Sequence, residues 1–371
     1  MGTDRLFCIE CGKSYAVDEK IWRCECGGLL DLELAYEFLP EKVAGRRLNL
    51  WRYREAIPID DDDHIVSFEE GFTPLLPVKF GDRTVLIKQD HLLPTGSFKD
   101  RGASVLISKV KELGIKKVII DSSGNAGCAV AAYCARAGIK CDVYVPARTG
   151  LSKIKQISAY GADLKRIRGS REATARAALA AAEKDYYASH YWNPFFFHGT
   201  KTFAFEICEQ LGWQAPDTVI LPVGNGTLLL GAFIGFRELY LRGIIEKVPR
   251  IIGVQSKNCA PLARAFAQKM ATIPEINKKE TVAEGIAISE PRRGPQIIDA
   301  VRKTRGDFVM VSDREIGLTL RQLWRRGFYV EPTAGAGLAG LKKFLIKQRV
   351  SKREVVVSIF TGHGLKSMVE I

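Results

Sequence analysis

What most constrains this chain is the way its short apolar runs end. Runs rich in valine and isoleucine (VLIK at 85–88, KVIID at 117–121, CDVYV at 141–145, TVILPV at 218–223, RIIGV at 250–254, EVVVSIF at 354–360) are separated by longer stretches of helical periodicity. They rarely alternate with polar residues, so each reads as a strand covered on both faces, which is the pattern of parallel α/β sheets. Alanine-rich stretches at 171–184 and 334–347 supply covering helices. Four glycine-rich turns follow such runs: PTGSFKDRGA (94–103), SSGNAG (122–127), PVGNGTL (222–228) and TGHGLK (361–366). In open α/β sheets ligands sit beyond the carboxyl ends of the strands, so these turns are where chemistry is expected.

Lys99 is the informative residue of the first turn. It opens a predicted helix behind Thr95-Gly96-Ser97, and desolvation and a helix N-terminus both lower an ammonium pKa, as a nucleophilic amine requires. Gly224, Asn225, Gly226 and Thr227 form a backbone nest at a helix start, suited to a phosphate dianion. Asn125 places an amide on a third turn. Two decoys fail on context. The glycines of GAGLAG (335–340) leave only 31 residues for a dinucleotide unit, and SKIK (152–155) lacks the partner motifs of a serine acyl-enzyme.

Four of the nine cysteines fall within the first 26 residues, as Cys8-x-x-Cys11 and Cys24-x-Cys26, each pair followed by glycine. Four thiolates suit one tetrahedral zinc and leave no open position, so the predicted role is structural. An odd cysteine count without an apolar leader predicts a reducing, cytoplasmic setting. The formal charge of +13 is spread along the chain without a basic block, which argues against nucleic acid, and no apolar run approaches a membrane span. The expected organisation is a zinc-ribbon-like segment at 1–32, a connecting arm at 33–66 and a catalytic region at 67–371, with a smaller α/β subdomain at about 103–190 inserted in the larger.

PTGSFKDRG, SSGN, PVGN and TGHGLK, in this order and spacing, resemble the fold-type II pyridoxal-phosphate-dependent enzymes, whose fold is that of the tryptophan synthase beta subunit, with two open parallel-sheet α/β domains. Within them the cysteine-bearing N-terminus and LNLWRYREAIP (48–58) are similar to threonine synthases. The resemblance implies pyridoxal 5'-phosphate attached to Lys99, its phenolic oxygen met by Asn125, its phosphate by Gly224 to Thr227 and its ring nitrogen by Thr361. Ser122 and Ser123 lie in the turn that takes the substrate carboxylate. It implies conversion of O-phosphohomoserine and water to threonine and phosphate by a homodimer acting on a small amino-acid substrate. The chain departs from the threonine synthases at NPFFFHGTKT (193–202), where an arginine for the substrate phosphate is expected and Phe195, Phe196 and Phe197 stand instead. Lys201, or Arg292 and Arg293, are the cations left for that task. VAEGIAISEP (282–291) is more similar to threonine/serine ammonia-lyases and GNGTL fits them at least as well, which keeps that activity, or another amino-acid beta-replacement or elimination, as the alternative, and a catalytically silent regulatory homologue as a third.

Overall fold

The computed structural model describes residues 4–149, 151–169, 171–347 and 351–367. Two compact units divide the chain: Met1–Gly71 with Lys99–Thr200, and Phe72–Phe98 with Lys201–Ile371.

The first unit begins with a three-stranded antiparallel sheet in which Arg5–Cys8 pairs with both Ser14–Tyr15 and Leu30–Glu33. Gly12 and Gly27 take φ of +75° and +86°, which turns each cysteine pair back on itself. Gly28 has no room for a side chain, because a Cβ there would lie 2.8 Å from the Cys8 sulfur. The connecting arm at 33–66 holds no α-helix. Its turns are 3-10, at Pro40–Val43, Leu50–Ala56 and Asp62–His64, held by side chains rather than by a helical ladder. Arg52 donates to the carbonyls of Val43, Arg46 and Arg47, and Arg46 grips Glu55 through both nitrogens.

Among the described residues the α/β part of this unit has four parallel strands ordered Asp163–Ile167, Lys140–Pro146, Lys117–Ile120, Tyr186–Tyr187. The unit reaches beyond the 103–190 subdomain expected from the sequence. Helix Lys99–Glu112 packs on helix Pro194–Thr200, and their close approach depends on two glycines. A Cβ on Gly102 would lie 2.3 Å from the Phe196 ring, and one on Gly199 would lie 2.0 Å from the Arg101 carbonyl oxygen. Ribbon residues Leu6, Trp22 and Leu30 join the same apolar core as Val118, Ile120 and Val143, so the ribbon is built into this unit rather than tethered to it.

The second unit carries a sheet ordered Asp307–Val311, Arg250–Ser256, Thr218–Pro222, Val356–Ile359, Arg83–Lys88, Leu75–Phe80 among the described residues. All neighbours are parallel except the last pair. Phe80 faces Arg83 across the two-residue turn Gly81-Asp82, and so short a connection admits only antiparallel strands. Asp163–Ile167 and Asp307–Val311 are edge strands; charged residues interrupt the first, and in the second only Val311 is buried. No helix among the described residues is long and apolar enough to cross a membrane.

Candidate active site

The first unit supplies side chains. Lys99 is the first residue of Lys99–Glu112 and is half-buried, with its Nζ 5.6 Å from the centroid of the Phe196 ring. That ring is fully buried. The aromatic face takes the place of water on one side of the amine. Phe195 and Phe197 are buried as well, at 1% and 2%, and Phe195 packs under the Lys109 ammonium; of the three, the structure sets Phe196 beside Lys99. The turn after Lys117–Ile120 carries Asp121, Ser122 and Ser123 and opens helix Asn125–Ala137. It is tight: a Cβ on Gly127 would sit 2.0 Å from the Ser122 carbonyl oxygen, and the Gly124 N–H donates to the Ser122 hydroxyl at 3.4 Å.

The second unit supplies backbone. Thr218–Pro222 is followed by Val223 and Gly224, and helix Thr227–Leu241 begins directly after Gly226, whose φ is +78°. A Cβ on Gly226 would lie 2.2 Å from Ile297, and one on Gly224 would lie 2.9 Å from the Gly285 carbonyl oxygen. The turn is therefore held against other chain segments, with the first N–H groups of a 15-residue helix at its end. Thr361 follows Val356–Ile359 and is 1% exposed. Its hydroxyl donates to Glu331 Oε1 at 3.4 Å, and its carbonyl accepts the N–H of Phe98, the chain neighbour of Lys99, at 3.0 Å. Ser97, bridged to Gly362, is fully buried, and its hydroxyl has no hydrogen-bond partner among the described residues.

Sequence reasoning missed Glu331, Ser97 and Asp121. Only Glu331 left a signal, an acid placed directly before the proline that opens Pro332–Lys347. Two expected cations have other partners. Lys201 is fully buried, and its Nζ lies 2.8 Å from Glu238 Oε2, so its charge is already matched. Arg293 is 1% exposed and donates to Gln296 at 2.8 Å, whereas Arg292 is exposed.

The four N-terminal cysteines converge, with their sulfurs all within 4.8 Å of one another. Cys8 and Cys24 are buried, Cys11 and Cys26 exposed, and the Tyr15 hydroxyl lies 3.0 Å from the Cys24 sulfur.

The first unit thus holds a helix-initial lysine against an aromatic ring and an amide-bearing glycine turn, and the second a helix-capping glycine nest. The chain belongs to the pyridoxal-phosphate dependent enzyme family, which matches it over residues 66–362. The chain is 40% identical to a threonine synthase of Methanocaldococcus jannaschii, over 97% of this chain and 92% of that protein. It is 36% identical to a threonine synthase of Methanosarcina acetivorans over the same shares. Among solved structures, the processed form of threonine deaminase isoform 2 from Solanum lycopersicum superposes with a TM-score of 0.67 at 23% identity, covering 79% of each chain, a likeness of fold.

The residues present fit the cofactor of this family. The orphaned buried hydroxyl of Ser97, two positions from Lys99, and the nest that a side chain at Gly226 would destroy are both features that a bound polar group completes.

Proposed function

We propose that the protein is a threonine synthase, a pyridoxal-phosphate-dependent lyase that converts O-phosphohomoserine and water to threonine and phosphate. The observation that carries this reading is the 40% identity over 97% of the chain with a threonine synthase.

Pyridoxal phosphate, held by Lys99, Asn125, the amides of Gly224 to Thr227 and Thr361, would supply an electron sink that acidifies the substrate Cα–H. Lys99 then serves as the base that moves protons at Cα and Cβ, as the amine that the substrate frees from the cofactor. Ser122 and Ser123 orient the substrate through its carboxylate, in a turn whose closeness to Gly127 leaves it little freedom. Thr361 offers a neutral hydroxyl, whose hydrogen now bonded to Glu331 would turn to the ring nitrogen with the cofactor bound; an alcohol holds no full charge at the ring, which favours elimination and replacement over transamination. The substrate phosphate needs cations. With Lys201 committed to Glu238 and Arg293 buried against Gln296, the exposed Arg292 is the better candidate; it precedes helix Gly294–Lys303, whose Ile297 abuts Gly226.

The ammonia-lyase alternative is favoured by Phe196, an apolar ring beside Lys99 where a phosphate would be unwelcome. Phosphate release from O-phosphohomoserine, against ammonia release from threonine or serine, separates the two. Borohydride reduction of the holoprotein should bleach a visible band and add mass at Lys99; the same adduct persisting in Lys99→Ala would overturn the attachment site.

Cys8, Cys11, Cys24 and Cys26 are proposed to hold one structural zinc, which sulfurs so close together are suited to share. Metal analysis should give about one zinc per chain, and Cys8→Ser should lower stability more than turnover. Full stability of metal-free protein would remove the zinc.

A further inference from the structure

We infer that Trp22, in the N-terminal ribbon, is a positioning residue for the turn at 122–125, acting through Tyr187 and Asp121. All four groups belong to one unit of the fold. Trp22 is 7% exposed, and its indole N–H donates to the Ala182 carbonyl at 3.2 Å. Its ring meets Tyr187 edge to face at 5.0 Å and Trp192 at 5.4 Å. Arg23, stacked 4.7 Å from the same indole, pairs with Glu183, so two consecutive ribbon residues are fastened to the segment leading into Tyr186–Tyr187.

Tyr187 carries the contact onward. It is fully buried, and burial, followed by the neighbouring Asp121 carboxylate, pushes its phenol well above the usual range. The hydroxyl therefore stays protonated and donates, at 2.5 Å, to Asp121 Oδ1. The Tyr191 hydroxyl donates to Oδ2 at 3.2 Å. A carboxylate only 8% exposed that receives a donor on each oxygen is fixed in its rotamer, and its backbone with it. Asp121 is the last residue before Ser122. Three residues later the chain enters helix Asn125–Ala137, where Gly127 lies against the Ser122 carbonyl. The turn is thus clamped at both ends, and a displacement of Asp121 has nowhere to go but into Ser122 and Ser123. The ribbon, distant in sequence, helps hold the seat of the substrate carboxylate.

The inference rests on the proposed function only in taking that turn as the seat. Its test uses the cofactor-loaded protein carrying Tyr187→Phe, Trp22→Ala, Trp22→Phe, or Trp22→Ala with Tyr187→Phe. KM for O-phosphohomoserine should rise about tenfold in Tyr187→Phe and in Trp22→Ala, with kcat within about twofold and the resting visible spectrum unchanged. Trp22→Phe should restore most of the loss. The double variant should be no worse than Trp22→Ala alone, because both changes release the same clamp. Without substrate, amide exchange at 121–127 should quicken about tenfold in Trp22→Ala while 218–227 stays as in the wild type. Multiplying KM effects, or unaltered exchange at 121–127, would overturn the inference. Should Trp22→Ala fail to fold, Tyr187→Phe and Trp22→Phe decide it. Should the wild type release no phosphate, the proposed function fails, and exchange alone judges the clamp.

Discussion

The two units solve the same local problem, a parallel strand ending in a glycine turn that opens a helix, and use it in different ways. In the first unit the turn at 122–125 and the helix start at Lys99 present side chains, an amine, two hydroxyls and an amide. In the second, Gly224 to Thr227 presents peptide N–H groups, and the glycines are there because neighbouring segments leave no space for anything else. A side-chain site can be emptied of chemistry without disturbing the fold. A backbone site cannot, since the atoms that bind are the atoms that make the turn.

The largest expected effect tests this contrast from the first unit. Lys99→Ala should lose at least about 10³-fold in kcat, with a melting temperature close to that of the wild-type apoprotein, measured by calorimetry on cofactor-free samples. A large loss of apoprotein stability would show that Lys99 is structural instead.

From the second unit, Gly226→Ala forces a Cβ to within 2.2 Å of Ile297 at a φ of +78°. It should cost about 3 kcal/mol of stability by denaturant melting and weaken cofactor binding together with it. Adding Ile297→Ala relieves the clash but not the backbone strain, so partial recovery of stability is expected. An apoprotein of unchanged stability that binds the cofactor poorly would break the comparison.

Buried ionisable groups of the second unit sharpen it further. Burial, and then the charge of the neighbouring His363, push His91 down to about 4, and its ring stacks on His363 at 5.8 Å. The fold therefore favours neutral His91. Its contribution is complete above pH 6.5 and is lost as pH falls through the window from 6.5 to about 4. The drop is at most about 3 kcal/mol, and His91→Phe should flatten that part of the stability profile.

The smallest effect concerns Lys201. Lys201→Met removes the buried ammonium that faces Glu238, and Glu238 keeps some access to water at 18% exposure; a loss of roughly 2 kcal/mol is expected, with KM for O-phosphohomoserine nearly unchanged. A strongly raised KM with unchanged stability would instead place Lys201 at the substrate.

Much of this was legible in the chain itself. Apolar runs, glycine turns, the helix that starts at Lys99 and the paired cysteines are written in residues a few positions apart, because they follow from backbone freedom, periodicity and ligand spacing. The antiparallel partner strand Leu75–Phe80 and the edge strands Asp163–Ile167 and Asp307–Val311 were harder to see, since an edge strand needs only one apolar face. What the sequence determined by itself was the vocabulary: a lysine at a helix start, glycines where a side chain cannot go, four thiols in two knuckles. Which side chains meet across the fold only the tertiary structure decided. Phe196 reaches Lys99 because Gly102 yields the space, Glu238 neutralises Lys201, Glu331 receives the Thr361 hydroxyl, and Trp22 reaches Tyr187 from the far end of the same unit's chain. No local pattern encodes these pairs, because each depends on the packing of elements that are distant in the chain and on burial that makes an unmatched charge or hydroxyl too costly to leave alone.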